Sequence, residues 1–319
     1  MMVLLKLVVV LLLVPLCTPF TFSRTLSRTL SRTTRTDLSL RATNVGFIGC
    51  GTIASAIAQG IATQSQVSID SIVVSKRSEQ KSKLLVETLN IQRPNLPVSI
   101  VDDNQQILDQ TEIVFVCVLP EQTSQVLQDL SFDNEKHTLI SLVSTAKLED
   151  LQKDSKLDSS NVSKMICLPS IRRHQGVCLH CCPTPNPFLE SLFESTGGVV
   201  TLKTEQELEA SMMTTCVMGP IYGMMRQGRD WLTERTDLTQ EEASYLVIKQ
   251  ITGAVLDAER DCENNANRLD ELIKEQTPGG LNEQALGNLD TLGGLAIQTQ
   301  VMDAILARIR GESDGSVLS

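Results

Sequence analysis

Residues Asn44 to Ala54 read Asn-Val-Gly-Phe-Ile-Gly-Cys-Gly-Thr-Ile-Ala, a short apolar run that enters Gly49-Cys50-Gly51-Thr52-Ile53-Ala54 and continues into a stretch of helical period. Residues of these types at this spacing suit the binding of a pyrophosphate. Glycine at position 49 permits a tight turn, the hydrogen side chain of Gly51 lets phosphate oxygens approach the backbone, and the small Ala54 lets the helix pack close to its strand. The free N–H groups and positive end of that helix face the same point. A plain glycine turn would use similar letters, but the strand before it and the helix after it make this a dinucleotide fingerprint. Gly49, Cys50, Gly51, Thr52, Ile53 and Ala54 are the first cofactor-binding candidates.

The next strand ends in Ser75-Lys76-Arg77. NAD-selective sites carry an acid there for the ribose 2′-hydroxyl, and an acid would repel a 2′-phosphate. A hydroxyl and two cations would hold one, so NADP, as NADPH, is the favoured cofactor. A solvated basic turn is the alternative reading.

The elements that must position these residues follow from periodicity. Val45 to Ile48, Ser71 to Val74, Val98 to Val101, Ile113 to Val118 and Leu139 to Val143 are continuous apolar runs, the pattern of strands buried on both faces of a parallel sheet. Thr52 to Thr63, Glu79 to Asn90 and Glu121 to Leu130 lie between them with helical period. Alternation of this kind predicts an α/β fold, a Rossmann-type doubly wound sheet, over residues 44–203.

From Glu205 onward the strand signal stops. Thr239 to Glu242 has the form of a capping box, and the helix it opens sets Ala243, Leu246, Val247, Gln250, Ile251, Ala254 and Val255 on one side, which fits a buried helix. Further helical runs cover Glu207 to Arg235, interrupted at Gly219-Pro220, and Asn282 to Arg310, interrupted at Gly293-Gly294. Residues 204–312 are therefore expected to form an all-helical substrate and dimerisation domain, with 313–319 a tail. Its apolar surface exceeds what one small bundle covers, so a homodimer or higher homo-oligomer is expected.

Of the 319 residues, the first 43 read as a targeting leader. Val3 to Leu16 is apolar but for Lys6, long enough for a signal core and short for a membrane span. Ser23-Arg24-Thr25-Leu26 then repeats, and no acid occurs before Asp37, the composition of a transit peptide. The expected destination is an organelle, the plastid first, with the secretory pathway or the mitochondrion as alternatives. Without residues 1–43 the chain loses Lys6, Arg24, Arg28, Arg32, Arg35, Arg41 and Asp37, leaving 22 basic against 37 acidic residues and a formal charge of −15. Such a surface repels nucleic acid, and nothing after the leader calls for a membrane. Eight cysteines remain at irregular spacing, Cys50, Cys117, Cys167 and Cys178 within apolar runs, which reads as buried reduced thiols.

Between Val45 and Gly311 the chain resembles the pyrroline-5-carboxylate reductase family. The likeness rests on the opening Val45 to Ile57, the Ser75-Lys76-Arg77 turn, Ile113 to Pro120, Gly219-Pro220-Ile221-Tyr222 for the family's Gly-Pro-Ala-Tyr, and Thr277-Pro278-Gly279-Gly280 for its Ser-Pro-Gly-Gly. The resemblance implies NADPH-dependent reduction of a cyclic imino acid, pyrroline-5-carboxylate to proline, at a site where helical domains of a homodimer interlock. It places Val118, Leu119 and Pro120 beneath the nicotinamide and the substrate carboxylate at Thr277, Pro278, Gly279 and Gly280. No metal is implied. The chemistry agrees: hydride adds to a C=N carbon once the nitrogen is protonated or hydrogen-bonded, and the carboxylate must be held still.

Departures fall near the chemistry. Where the family has a small residue and then Thr after Pro-Gly-Gly, this chain has Leu281 and Asn282. The Asn282 amide can donate a hydrogen bond to the reacting nitrogen, and is the one catalytic candidate, but it cannot relay a proton. Met-Pro-Asn-Thr-Pro becomes Leu168-Pro169-Ser170-Ile171-Arg172, and Arg172 with Arg173 either grips a further carboxylate or is solvated surface. Two other functions stay open: a non-catalytic NADP-binding homologue, and a reductase of the 3-hydroxyacid dehydrogenase type, which would need a lysine that Thr214 to Arg226 lacks. His174 to Cys182 holds two histidines and three cysteines, but as a strand it would turn Cys178 and Cys181 to opposite faces, which argues against zinc. The pairs Met212-Met213 and Met224-Met225 read as helix packing.

Overall fold

The structure, a computed structural model, describes residues 43–64, 66–76 and 79–317. The expected leader, apart from Thr43, and the candidate Arg77 lie outside the described residues.

Among the described residues eight strands form one sheet: β1 (Asn44–Ile48), β2 (Ser71–Ser75), β3 (Val98–Val101), β4 (Ile113–Val116), β5 (Thr138–Ser141), β6 (Val162–Ile166), β7 (Cys178–Cys181) and β8 (Val199–Leu202). Their order is β3-β2-β1-β4-β5-β6-β7-β8. All pairs are parallel except β6 with β7. Strand order reverses between β1 and β4, which places a crevice at the carboxyl ends of those two strands. The doubly wound Rossmann-type sheet predicted from the apolar runs is thus present. Its fourth strand stops at Val116 rather than Val118, because the chain turns there to enter a helix with Pro120 at its first position, where a missing N–H costs nothing.

Among the described residues seven α-helices flank or follow the strands up to residue 216: α1 (Thr52–Thr63), α2 (Glu79–Gln92), α3 (Asn104–Gln110), α4 (Pro120–Gln128), α5 (Leu148–Ser155), α6 (Pro187–Glu194) and α7 (Glu205–Cys216). One core lies between the sheet and α1, α2 and α6. There Phe47 and Phe115 stack at 4.9 Å, and Phe193 meets Phe115 edge-on at 6.3 Å. A second core fills the opposite face with Val114, Val116, Leu127, Leu151, Leu208, Met212 and Met213. The Met212-Met213 pair packs as its spacing predicts, whereas Met224 is exposed.

The remaining helices are α8 (Met218–Arg235), α9 (Gln240–Glu259), α10 (Arg268–Lys274), α11 (Leu281–Thr291) and α12 (Gly294–Ile309). Capping boxes open α7 at Thr204 and α9 at Thr239, each closed by a glutamate three residues on. The break between α7 and α8 falls at Val217, ahead of Gly219-Pro220, since a proline is tolerated in the first turn of a helix. Gly293, at φ +77°, separates α11 from α12 where the sequence placed the interruption.

The helical half is attached to the sheet through α7 and α12. Met302, Ile305, Leu306 and Ile309 of α12 pack on the second core, and Arg310 pairs with Glu209 at 3.2 Å. Below them the Lys164 ammonium on β6, 3 % exposed as a residue, meets Glu205 at 3.0 Å and donates to the Ser144 carbonyl. The rest of this half is open. Of the face of α9 read from the sequence as buried, Ala243 alone is enclosed; Leu246 and Val255 are exposed, as are Trp231, Tyr245 and Leu256 nearby. An apolar stripe at helical spacing identifies the face that needs cover, not the element that supplies it.

Candidate functional site

The fingerprint turn is shaped by contacts from three strands. Gly49 sits at φ +96°, and a Cβ there would lie 2.6 Å from the Cys117 carbonyl, so only glycine fits between β1 and β4. Its N–H donates to the Ser75 hydroxyl at 2.9 Å. At Gly51 the situation is reversed: a Cβ would meet nothing within 4 Å. Gly51 is also the N-cap of α1, with no side chain capping the helix and no acid in its first turn. Open space, uncapped N–H groups and the positive end of the helix coincide there, the arrangement a pyrophosphate requires. Ala54, 1 % exposed, lets α1 lie against the sheet. The residues present therefore fit a dinucleotide, with Gly49 to Ala54 as the cradle.

Around this cradle the predicted residues divide. Ser75 is buried and turned inward to Gly49, beneath the turn. Lys76 is exposed and pairs with Asp102 at 2.8 Å. That carboxylate raises the Lys76 pKa and keeps the amine protonated. Cys50 is buried, its Sγ 3.8 Å from the Ser55 hydroxyl, while Thr52 is exposed and Ile53 half-buried. After β4, Val118 is half-buried and Leu119 and Pro120 are exposed at the crevice edge. Burial pushes the Cys117 thiol beneath them well above its ordinary range, with Cys50 adding to the effect, so Cys117 stays a neutral, apolar wall.

Arg172 lies beside the fingerprint helix. The turn of 3₁₀ helix at Pro169–Arg173 packs along α1, and His174 Nε2 lies 3.0 Å from Thr63 Oγ1 and 3.1 Å from the Gly60 carbonyl. Arg172 thereby borders a groove over α1 together with Thr52, Ser55, Gln59 and Lys81. Arg173 is exposed and directed to Gln175. Lys81 was not singled out from the sequence, nor were Ser55 and Gln59, which extend the polar stripe from the candidate Thr52. Their signal was the i, i+3, i+7 spacing on one face of the fingerprint helix.

The second constellation lies in the helical half. Thr277, Pro278 and Gly279 are exposed ahead of α11, with Gly279 at φ +71°. Both glycine N–H groups have internal acceptors: Gly279 donates to the Glu283 carboxylate at 2.6 Å and Gly280 to the Thr277 carbonyl at 2.8 Å. Asn282 is exposed and Leu281 is 84 % exposed. α10 packs on α9, and α11 on α12. In the Cys/His stretch, Cys178 and Cys181 do belong to opposite cores. His180 between them is fully buried, edge-on to Phe193 at 4.8 Å, with neither ring nitrogen partnered.

Fold and fingerprint define a Rossmann-type protein whose turn residues fit a dinucleotide, with an all-helical segment following the sheet. A family described as NADP oxidoreductase coenzyme F420-dependent matches residues 44–145. The chain is 25 % identical to pyrroline-5-carboxylate reductase 1 of Dictyostelium discoideum over 272 residues, covering 80 % of this chain and 47 % of that protein. It is 22 % identical to pyrroline-5-carboxylate reductase 2 of Rattus norvegicus over 278 residues, 84 % and 83 % of the two chains. The match thus spans about half the length of the Dictyostelium relative. In structure it superposes on a pyrroline-5-carboxylate reductase of Coxiella burnetii with a TM-score of 0.69 at 22 % identity, covering 86 % and 99 % of the chains. A pyrroline carboxylate reductase of Plasmodium falciparum solved with NADP bound gives 0.67 at 17 % identity, covering 86 % and 98 %. The chain is a distant homologue of the pyrroline-5-carboxylate reductases.

Proposed function

We propose that this protein is an NADPH-dependent reductase of a cyclic imino acid, with pyrroline-5-carboxylate and its conversion to proline as the first substrate to test. The observation that carries the reading is the open position at Gly51 above the uncapped start of α1, in a chain whose homology continues past the cofactor half into the helices. When bound, the cofactor would supply hydride to the C=N carbon. Gly49 to Ala54 would hold its pyrophosphate, and Lys76 and Arg77 its 2′-phosphate, with Ser75 supporting the turn. Val118 to Pro120 would lie beneath the nicotinamide.

Thr277 to Gly280 would receive the substrate carboxylate, Glu283 turning away as it arrives, and the Asn282 amide would donate to the imine nitrogen. Arg172 and Arg173 would bind an additional carboxylate only if the substrate carries one. The exposed apolar face around Trp231, Tyr245 and Leu256 supports assembly through the helical halves, which would bring one copy's Thr277–Gly280 loop to another's fingerprint. The leader supports an organellar, plastid, location.

The test is NADPH oxidation by the purified protein with five- and six-membered cyclic imino acids. Turnover with either supports the reading. Cofactor-dependent thermal stabilisation without turnover of any cyclic imine would favour the non-catalytic alternative, which the replacements at Asn282 and Ser170 motivate.

A further inference from the structure

Cys167 and Cys178 stand opposite one another where β6 and β7 meet. The antiparallel register pairs Lys164 with Cys181, Met165 with His180 and Ile166 with Leu179, and one more step brings Cys167 to Cys178. The Cys178 N–H donates to the Gly198 carbonyl on the β8 side at 2.9 Å. A strand residue points its N–H and C=O the same way, so toward β6 this is a non-hydrogen-bonded pair, the class with Cα atoms ~4.5 Å apart. That separation lies within the ~4.4–6.8 Å a disulfide spans. Both cysteines are free and share one core cluster. The Cys167 thiol, helped by the Thr196 hydroxyl, draws the Cys178 thiol below its ordinary value against the opposing effect of burial.

We propose that Cys167 and Cys178 form a dithiol modification site, oxidised to a disulfide by small hydroperoxides, whose closure staples the base of the 168–177 loop beside the fingerprint helix. The Cys178 thiolate attacks one peroxide oxygen; the O–O bond breaks, hydroxide leaves and takes the proton the thiol released, and Cys178 becomes a sulfenic acid. Cys167 sulfur then attacks Cys178 sulfur, the S–O bond breaks, and the departing hydroxyl leaves as water with the Cys167 proton. Two thiols are oxidised, and one hydrogen peroxide is reduced to two waters, or one organic hydroperoxide to an alcohol and a water. Exposure of 1 % at Cys178 and 6 % at Cys167 selects an oxidant of this size over a protein disulfide. The closed loop would carry Arg172, at the groove over α1, and His174, against Thr63 and Gly60. None of this depends on which substrate the protein reduces.

The test treats the full chain with hydrogen peroxide, blocks remaining thiols under denaturing conditions and maps tryptic peptides by mass spectrometry. Trypsin cuts after Arg172 and Arg173, between the two cysteines, so the bond appears as a joined pair of peptides, and fragmentation of that pair assigns the partner of Cys167 among Cys178, Cys181 and Cys182. The expected result is a Cys167–Cys178 linked pair that dithiothreitol dissolves, with a thermal midpoint several degrees higher in the oxidised form. Cys167→Ser should lose both the linked pair and the shift. Recovery of Cys167 and Cys178 as blocked thiols, or a Cys50–Cys117 link in their place, would overturn the proposal. If the variant fails to fold, the wild-type peptide map still decides.

Discussion

The Gly49 N–H donates to the Ser75 hydroxyl across 2.9 Å in a buried position, so the residue that ends β2 holds the fingerprint turn of β1 from below. Ser75 is itself fixed, because its carbonyl accepts the Ser82 hydroxyl at 2.7 Å. Ser75→Ala should leave a buried N–H without an acceptor, at a cost of about 1–3 kcal/mol. Urea unfolding would read that loss, and NADPH titration should show weaker binding. Unchanged stability would mean that water replaces the hydroxyl.

Gly49→Ala should be more severe. The added Cβ would approach the Cys117 carbonyl to 2.6 Å at a backbone angle that L-residues rarely adopt. Loss of NADPH binding is expected, with destabilisation of roughly 2 kcal/mol or more. Gly51→Ala has room in the free protein, where nothing lies within 4 Å. It should therefore fold normally and bind cofactor poorly, a contrast that calorimetry and thermal melts can separate.

Lys164 couples the sheet to α7. Its ammonium is enclosed, bridging Glu205 and the Ser144 carbonyl, while Glu205 also accepts the Leu148 N–H at 3.1 Å. Lys164→Ala strands a partly buried carboxylate, and a loss of about 3 kcal/mol in chemical unfolding is expected. Lys164→Met combined with Glu205→Gln should recover part of it, because apolar packing can replace a buried pair.

His180 makes stability pH-dependent in a defined direction. Burial lowers its pKa from 6.5 to about 4. Above pH 6.5 the ring is neutral in both states; between 6.5 and about 4 the unfolded chain takes up a proton that the folded chain does not. Stability should therefore be fully present above that window and fall through it, by about 3 kcal/mol in all. His180→Leu should flatten this segment of the curve in urea melts collected from pH 7 downward. An identical slope in wild type and variant would remove His180 as the cause.

Asn282→Thr tests the proposed donor. A hydroxyl both donates and relays a proton, so cyclic-imine reduction should rise severalfold with NADPH affinity unchanged. Activity indifferent to the change would show that Asn282 does not face the reacting nitrogen.

Much of the fold was legible because its signals are local. The left-handed turn at Gly49, the capping box at Thr239 and the helix break at Gly293 each depend on a few consecutive residues whose conformational needs are written in their side chains. Burial on both faces of β1 and β4 was likewise visible as unbroken apolar runs.

What the sequence by itself determined, then, is a parallel doubly wound sheet with a dinucleotide turn, followed by helices with apolar faces to cover. Tertiary structure alone decided that β7 runs against β6, that Ser75 turns inward, that Arg172 borders the fingerprint helix and that Cys167 faces Cys178. These relationships join residues through strand register and crossover, so each partner's own neighbours carry no record of the other. The exposed face of α9 makes the same point: periodicity marks a surface that excludes water, while the packing of whole elements determines what lies against it.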